Sequence, residues 1–348
     1  MAKAKEELEE AQFWRKERNG IRDSVSARED FIAKGKMDFS LTRENRDNKL
    51  FTLNFGRVVA LNVEKIEKSH LFHFNPNSDS LFVGLPGCNF RGPFCSDFEL
   101  SHKILHDNPL DAKYQYYTPE QIVGTAEKKN CKSITFNYTE PMVWFEFAFK
   151  TARYAHRGNV KTTLVTNGYT TEEPIKKLGK FLDAVTVKIF GSGSAELYGK
   201  YMSIKSAQPI YDTLKQMHKQ KLFIEITNLI VPQVGDNLEE CKKLASWISH
   251  ELGAETPLHL LQFQGGELGI PSTPISVLER FAEESKKEGL RYVYIHSLPP
   301  HQEENTFCHN CRELVVERKN NNVKRSKIID DRCPKCGFAL NFVSATKG

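Results

Sequence analysis

Short β-branched and aromatic runs alternate with amphipathic stretches through the middle of the chain. The runs fall near 80–84 (SLFVG), 132–137, 160–166, 184–190, 222–230, 257–263 and 291–295. Helical patterns lie between them, near 118–129, 142–157, 172–180, 206–220, 236–252 and 273–288. Strand-length apolar runs spaced by helices predict parallel strands joined by right-handed crossovers. Thr118-Pro119-Glu120 reads as a helix start, with a capping Thr and Pro at the first helical position, and Thr273-Pro274 repeats it. Six strand–helix units and a seventh strand describe an α/β fold, a full or partial (β/α) barrel, with a doubly wound open sheet as the alternative. Either form binds ligands at the C-terminal ends of its strands. Chemistry is therefore expected in the loops that start near Gly84, Asn137, Thr166, Phe190, Val231, Phe263 and His296.

The flanks read differently. Residues 3–18 predict a charged helix, with Glu6, Glu7, Glu9 and Glu10 early and Arg15, Lys16 and Arg18 late. That order suits the helix dipole, and Asn19-Gly20 supplies a stop. Residues 21–48 are polar and weakly patterned, and 50–74 alternate enough for short strands or a hairpin. The expected organisation is an N-terminal helix and knuckle-like segment over 1–48, a strand-rich lead-in over 49–79, the barrel over 80–300 and a C-terminal module over 301–348.

Length and composition narrow the class. At 348 residues, with 39% hydrophobic and 27% charged positions, the chain is ordinary for a folded protein of roughly two domains. Lys and Arg exceed Asp and Glu by 49 − 44 = 5, which permits a nucleic-acid partner without requiring one. No uncharged apolar run approaches the roughly 18 residues of a membrane span, and the first residues lack the apolar core of a secretory signal. The expectation is a soluble cytoplasmic protein with no membrane partner.

The eight cysteines change the picture more. Cys308-His309-Asn310-Cys311 and Cys333-Pro334-Lys335-Cys336 are separated by 333 − 311 − 1 = 21 residues. This is close to zinc-ribbon spacing, and four thiolates close a tetrahedral zinc site with no position left for substrate. The intervening Glu317 to Lys327 segment forms a basic hairpin-like tip, read as a solvated turn with phosphate contact as the alternative. Cys131 and Cys241 stand alone and read as buried or idle thiols. His70 and His73, alternating with Phe72 and Phe74, read as packed or hydrogen-bonded side chains.

The remaining two cysteines sit in Gly87-Cys88-Asn89-Phe90-Arg91-Gly92-Pro93-Phe94-Cys95, directly after the first barrel strand. A Cys-x3-Cys-x2-Cys loop would supply three thiolates to an iron–sulfur cluster. Here Cys88 and Cys95 hold the first and third positions, and Gly92 stands at the second. With SLFVGLPGCNFRGPFC, Tyr138-Thr139-Glu140-Pro141, Val165-Thr166-Asn167-Gly168-Tyr169, Tyr292-Val293-Tyr294 and Glu304-Asn305-Thr306-Phe307-Cys308 in order, the chain resembles the radical SAM enzymes of the AmmeMemoRadiSam system. Those are relatives of the pyruvate formate-lyase activating enzymes, and the resemblance runs over most of the chain. It implies a partial (β/α)6-type TIM barrel of the radical SAM type, a [4Fe–4S] cluster and bound S-adenosylmethionine, which together generate a 5′-deoxyadenosyl radical. It also implies that Glu140 and Asn167 face the S-adenosylmethionine.

Departures from the family fall on metal ligands and strand ends. Gly92 replaces a cysteine, and Ser96-Asp97-Phe98 replace Gln-Asn-Trp. Lys188-Ile189-Phe190 replace Asp-Leu-Lys, and Gln262 and Gln264 stand for an Arg and a His. Asp23, Ser26, Asp30 and Ser40 occupy the ligand positions of an N-terminal cysteine-rich knuckle. Asp97 is the nearby candidate for a replacement ligand, although clusters favour thiolate. Three functions follow. The first is a barrel that has lost or altered its radical catalysis and serves as a binding or scaffold subunit for a protein partner. The second is a working radical SAM enzyme. The third is an RNA- or ribosome-associated factor using the basic ribbon, which alone predicts salt-sensitive RNA binding.

Overall fold

The structure is a computed structural model that describes residues 8–95, 114–265 and 269–344. Two compact units emerge: residues 1–64, 79–183 and 201–222 form one, and 65–78, 184–200 and 223–348 form the other. None of the helices among the described residues is long and apolar enough to cross a membrane.

In the first unit the N-terminal stretch is β, not helical. Strands β1 (Glu9–Glu10), β2 (Trp14–Glu17), β3 (Gly20–Asp23), β4 (Phe31–Ala33), β5 (Arg43–Arg46) and β6 (Lys49–Thr52) build two small antiparallel sheets, in the orders β1-β6-β5 and β2-β3-β4. The expected helix over 3–18 is thus replaced over its described part, and residues 3–7 lie outside the described residues. The reason is packing. Glu17 pairs with Gly20 across a two-residue turn at Arg18-Asn19, so the expected helix stop is a hairpin turn. Trp14 packs on a core of Ala11, Ile21, Ile32 and Leu50 that a solvated helix would not build.

The lead-in contributes β7 (Arg57–Val58) and β8 (Ala60–Lys65), as short strands were expected there. Then β9 (Asp79–Gly84), β11 (Ser133–Phe136) and β12 (Lys161–Thr166) run parallel, with β11 between the other two; β10 (Gln115–Tyr116) pairs with β7. Helices α1 (Pro119–Lys128), α2 (Phe145–Arg157) and α3 (Glu172–Leu178) follow at the predicted crossovers, whereas α4 (Ala195–Tyr201) was not predicted. Thr118 caps α1 in a complete capping box: its Oγ1 accepts from Gln121 N at 3.3 Å, and Gln121 Oε1 accepts from Thr118 N at 2.9 Å. Helix α5 (Gln208–Lys219) belongs to the first unit.

In the second unit β13 (Ala184–Phe190), β14 (Phe223–Ile230), β15 (Leu258–Gln262) and β16 (Val293–His296) are parallel and adjacent in chain order. Their crossovers include α6 (Leu238–Glu251) and α7 (Ile275–Lys287). At α7 the expected Thr cap fails. Pro274 itself holds the cap position, and Thr273 Oγ1 donates to Ile230 O at 2.6 Å instead. Strands β17 (Thr306–Phe307), β18 (Leu314–Lys319) and β19 (Asn322–Ser326) then form an antiparallel ribbon over Cys308, Val315, Val316 and Cys333.

Candidate functional site

The order β12-β11-β9 sets three strand-end loops side by side. After β9 the chain turns at Gly87, where φ is +118° and a Cβ would lie 2.3 Å from Thr42 Cγ2, so only glycine fits. Cys88 follows, its Sγ accepting from Phe90 N at 3.4 Å, and Asn89 is buried. After β11, Glu140 is buried at the start of a short 3₁₀ turn. Its Oε1 accepts from Thr166 Oγ1 at 2.7 Å and Met142 N at 3.1 Å, and its Oε2 accepts from Asn167 N at 2.7 Å. After β12, Asn167 Nδ2 donates to Asn89 Oδ1 at 2.7 Å, while its Oδ1 accepts from Tyr169 N at 2.9 Å. Asn89 Nδ2 in turn reaches Tyr169 O at 2.8 Å and Ser26 Oγ at 3.1 Å.

Glu140 and Asn167, singled out from the sequence, are therefore joined directly, and Asn89 links them to the Cys88 loop. Sequence reasoning missed Asn89, although its place next to the first cysteine was a usable signal.

Gly92 sits against Met202. A Cβ built on Gly92 would lie 2.3 Å from Met202 Sδ and 2.9 Å from its Cε. The methionine side chain therefore fills the space a side chain at 92 would enter. Asp97 lies outside the described residues. Cys131 is buried just before β11, and burial raises its thiol pKa. Cys241 is buried on α6, 3.7 Å from Ser285 Oγ, and burial pushes its thiol up to about 11. Thiols so disposed are poor ligands.

The four knuckle positions are engaged in an ion pair and hydrogen bonds. Asp23 pairs with Arg43 at 2.9 Å, and Ser26 accepts from Asn89. Asp30 accepts from Phe39 N at 3.1 Å, and Ser40 hydrogen-bonds Asp38 and Thr42. Arg43 is almost fully buried and also grips Glu146, with Nη2 2.8 Å from Oε1 and 3.0 Å from Oε2. A guanidinium thus holds this module where metal ligands were expected.

Cys308, Cys311, Cys333 and Cys336 do converge. Their sulfurs all lie within 4.8 Å of one another, and this is the group among the described residues that could hold a metal ion. Two of the edges are 3.7 Å (Cys308 to Cys336) and 3.6 Å (Cys311 to Cys333). The basic tip between the knuckles is only partly solvated. Arg318 turns inward, is buried and stacks on Phe72 at 4.0 Å.

Residues 82–248 match the model of the radical SAM superfamily. Over 344 residues the chain is 35% identical to the uncharacterized protein MJ0808 of Methanocaldococcus jannaschii, covering 97% of this chain and 100% of that one. Among solved structures, a radical SAM methyltransferase from Sphaerobacter thermophilus matches with a TM-score of 0.47 at 14% identity, over 64% of this chain and 67% of that one. A domain of pyruvate-formate lyase-activating enzyme from Bacteroides vulgatus matches with a TM-score of 0.42 at 11% identity, over 47% of this chain and 99% of that one. Streptococcus suis SuiB bound to S-adenosylmethionine matches with a TM-score of 0.47 at 13% identity, over 64% of this chain and 51% of that one. Residues 82–248, which include all three clustered loops, form a radical SAM domain, and the chain belongs to one family with the Methanocaldococcus protein, which it matches along that protein's entire length.

Proposed function

We propose that this chain is a radical SAM protein whose cluster-dependent radical chemistry is lost or altered, and that it serves as a binding or scaffold subunit for a protein partner. The superfamily implies S-adenosylmethionine and an iron–sulfur cluster, so the residues present have to be tested against that group. They do not fit its three-thiolate form. The loop offers Cys88 and Cys95, and the middle position, Gly92, is packed under Met202 Sδ. A thioether is a weaker donor than the thiolates that hold such clusters. The packing of Gly92 is the observation that carries this reading.

What the site retains is a hydrogen-bonded floor. Glu140, Asn167 and Asn89 are buried and satisfied by one another and by the backbone. Such a floor supports retention of a small-molecule site at these strand ends, and by resemblance to the AmmeMemoRadiSam enzymes that molecule is S-adenosylmethionine. The same retained residues favour a second reading, an active radical SAM enzyme with an unusual cluster. An RNA-binding ribbon draws less support, because Arg318 is buried and Lys327 is paired with Glu313 at 2.7 Å.

The C-terminal thiols fit zinc. Bonds of about 2.3 Å in a tetrahedron give sulfur–sulfur edges of about 3.8 Å, close to the two edges observed. Four thiolates leave no open position, so zinc here would hold the ribbon together and take no part in a reaction.

The deciding experiment is iron and zinc content per chain after anaerobic reconstitution with iron and sulfide. About one zinc with no iron above background is the expected result. About four irons, together with 5′-deoxyadenosine formed from S-adenosylmethionine and a reductant, would overturn the proposed reading in favour of the enzyme.

A further inference from the structure

A row of histidines runs from the buried interior up one face of the second unit's parallel strands. It starts at Glu225 on β14, which is fully buried and whose Oε1 accepts from His73 N at 2.8 Å. Glu225 Oε2 lies 2.8 Å from His259 Nε2, and His259 Nδ1 lies 2.9 Å from His296 Nε2. His296 Nδ1 is 2.9 Å from the side-chain amide of Asn321. The register explains the row. Thr227 pairs with His259 and Leu261 with His296, so the alternating positions Glu225, His259 and His296 share a face and climb toward the strands' C-terminal ends.

There the row meets a cavity of about 300 Å3, near the lower end of small-molecule sites. His70 and His296 line it together with Asn321, and Leu229, Leu261 and Ile295 supply apolar wall. The rings of His70 and His296 meet edge to face at 4.8 Å. Neither ring nitrogen of His70 has a hydrogen-bond partner among the described residues. Asn321 reaches the cavity from the β18–β19 turn, where Asn320 and Asn321 both have positive φ (53° and 64°). The ribbon tip is therefore a wall of the cavity.

We propose that this cavity is a proton-transfer site, separate in chemistry from the cysteine loop, for a planar aromatic or heteroaromatic molecule bearing one weakly acidic O–H or N–H. The ligand displaces Asn321 from His296, hydrogen-bonds His70 and delivers its proton through His296 and His259 to Glu225. The step balances as follows. The ligand's proton goes to His296 Nδ1, the proton on His296 Nε2 goes to His259 Nδ1, and the proton on His259 Nε2 goes to Glu225 Oε2. The ligand leaves the step as an anion, Glu225 as a neutral acid and both imidazoles neutral, with no electrons transferred.

The charges around the row suit this movement. Burial holds His70, His259 and His296 well below the ordinary imidazole range, so all three are neutral conductors near neutral pH. Burial also raises the Glu225 carboxyl, which makes it a ready proton acceptor. Arg318 is the buried cation that offsets its carboxylate form, while Tyr294, His73, Lys188, Lys68, Glu304 and His301 are further titratable groups facing the cluster or lining its cavity. The imidazoles and amides of the wall, with Glu304 behind Asn321, select against an anionic ligand and for a neutral protic ring. Asn321 serves both states, since its amide oxygen accepts from Nδ1–H and, turned over, its amide nitrogen donates to the bare Nδ1.

The test is titration of the full chain with 4-nitrophenol, in a buffer acidic enough to keep the free phenol protonated. The visible phenolate band reports proton loss, and equilibrium dialysis reports binding. Wild type is expected to bind saturably and to develop the band. Glu225→Gln and His296→Gln should retain binding but lose most of the band, and His70→Ala should weaken binding about tenfold. His296 is half-buried at the rim, so His296→Gln decides the matter where Glu225→Gln fails to fold. Absence of saturable binding, or a band of wild-type size in His296→Gln, would overturn the proposal.

Discussion

Replacing Arg43 with methionine tests the idea that a guanidinium has taken over the work of a metal in the N-terminal module. The side chain of Arg43 is 1% exposed, and it pairs with Asp23, 5% exposed, and Glu146, 0% exposed. Methionine matches much of its length but strands two buried carboxylates. Breaking a buried ion pair from one side costs about 3–5 kcal/mol. A pH signature accompanies the loss. In the native chain burial, opposed by Arg43, raises Asp23 to about 6. A carboxyl raised in the folded state stabilises the fold fully below its ordinary value near pH 4, and that contribution fades as pH rises through about 6, amounting to roughly 3 kcal/mol over the window. Without Arg43 the folded value of Asp23 rises further, so the variant's deficit should be modest at pH 5 and full at pH 8. The assay is urea unfolding of the first unit followed by Trp14 and Trp144 fluorescence, with Trp247→Phe as background. A deficit below about 1 kcal/mol at pH 8, or one equal at pH 5 and pH 8, would refute the reasoning.

Other expectations can be checked with the same protein. Gly92→Cys alone should incorporate little iron because Met202 Sδ stands 2.3 Å from its Cβ, whereas Gly92→Cys with Met202→Ala should incorporate clearly more; equal iron in both would disprove the steric account. Glu140→Gln should destabilise the first unit by about 1–3 kcal/mol, since its single amide oxygen cannot accept both from Asn167 N and from Thr166 Oγ1 and Met142 N as the two carboxylate oxygens do; an unchanged unfolding midpoint would count against that network. Chelating the metal of Cys308, Cys311, Cys333 and Cys336 should unfold β17–β19 and leave the helical circular-dichroism signal in place. Loss of the whole signal would show that the ribbon's order supports the helices too.

Most of the parallel framework could be read from the chain, because each buried strand is a short apolar run and each crossover helix carries its own period. Cys308 to Cys336 were equally legible, since ligand spacing within a ribbon is local. The N-terminal module was not. Glu9, Glu10, Arg15 and Lys16 carry the charge order of a helix, and the apolar positions that make it β, Trp14 with Ile21, Ile32 and Leu50, find each other only across hairpins. The histidine row was hidden for a related reason. Glu225, His259 and His296 lie 34 and 37 residues apart in sequence, each alone in a strand, and only parallel register brings them into contact.

The two places where expected metal ligands are missing have a common feature. At Gly92 the vacancy is filled by Met202, and at the N-terminal knuckle the charge of Asp23 is met by Arg43, which recruits Glu146 as well. Loss of a ligand without compensation would leave a void or an unpaired buried carboxylate, each costing on the order of 1–5 kcal/mol. Neither is found at these positions. The same reasoning predicts that restoring ligands singly will destabilise the chain. Gly92→Cys should lower the unfolding midpoint in the apo protein, since the new side chain must displace Met202, and Met202→Ala should relieve that clash. If Gly92→Cys instead stabilises the apo chain, Met202 does not fill the space at 92 as its 2.3 Å approach implies.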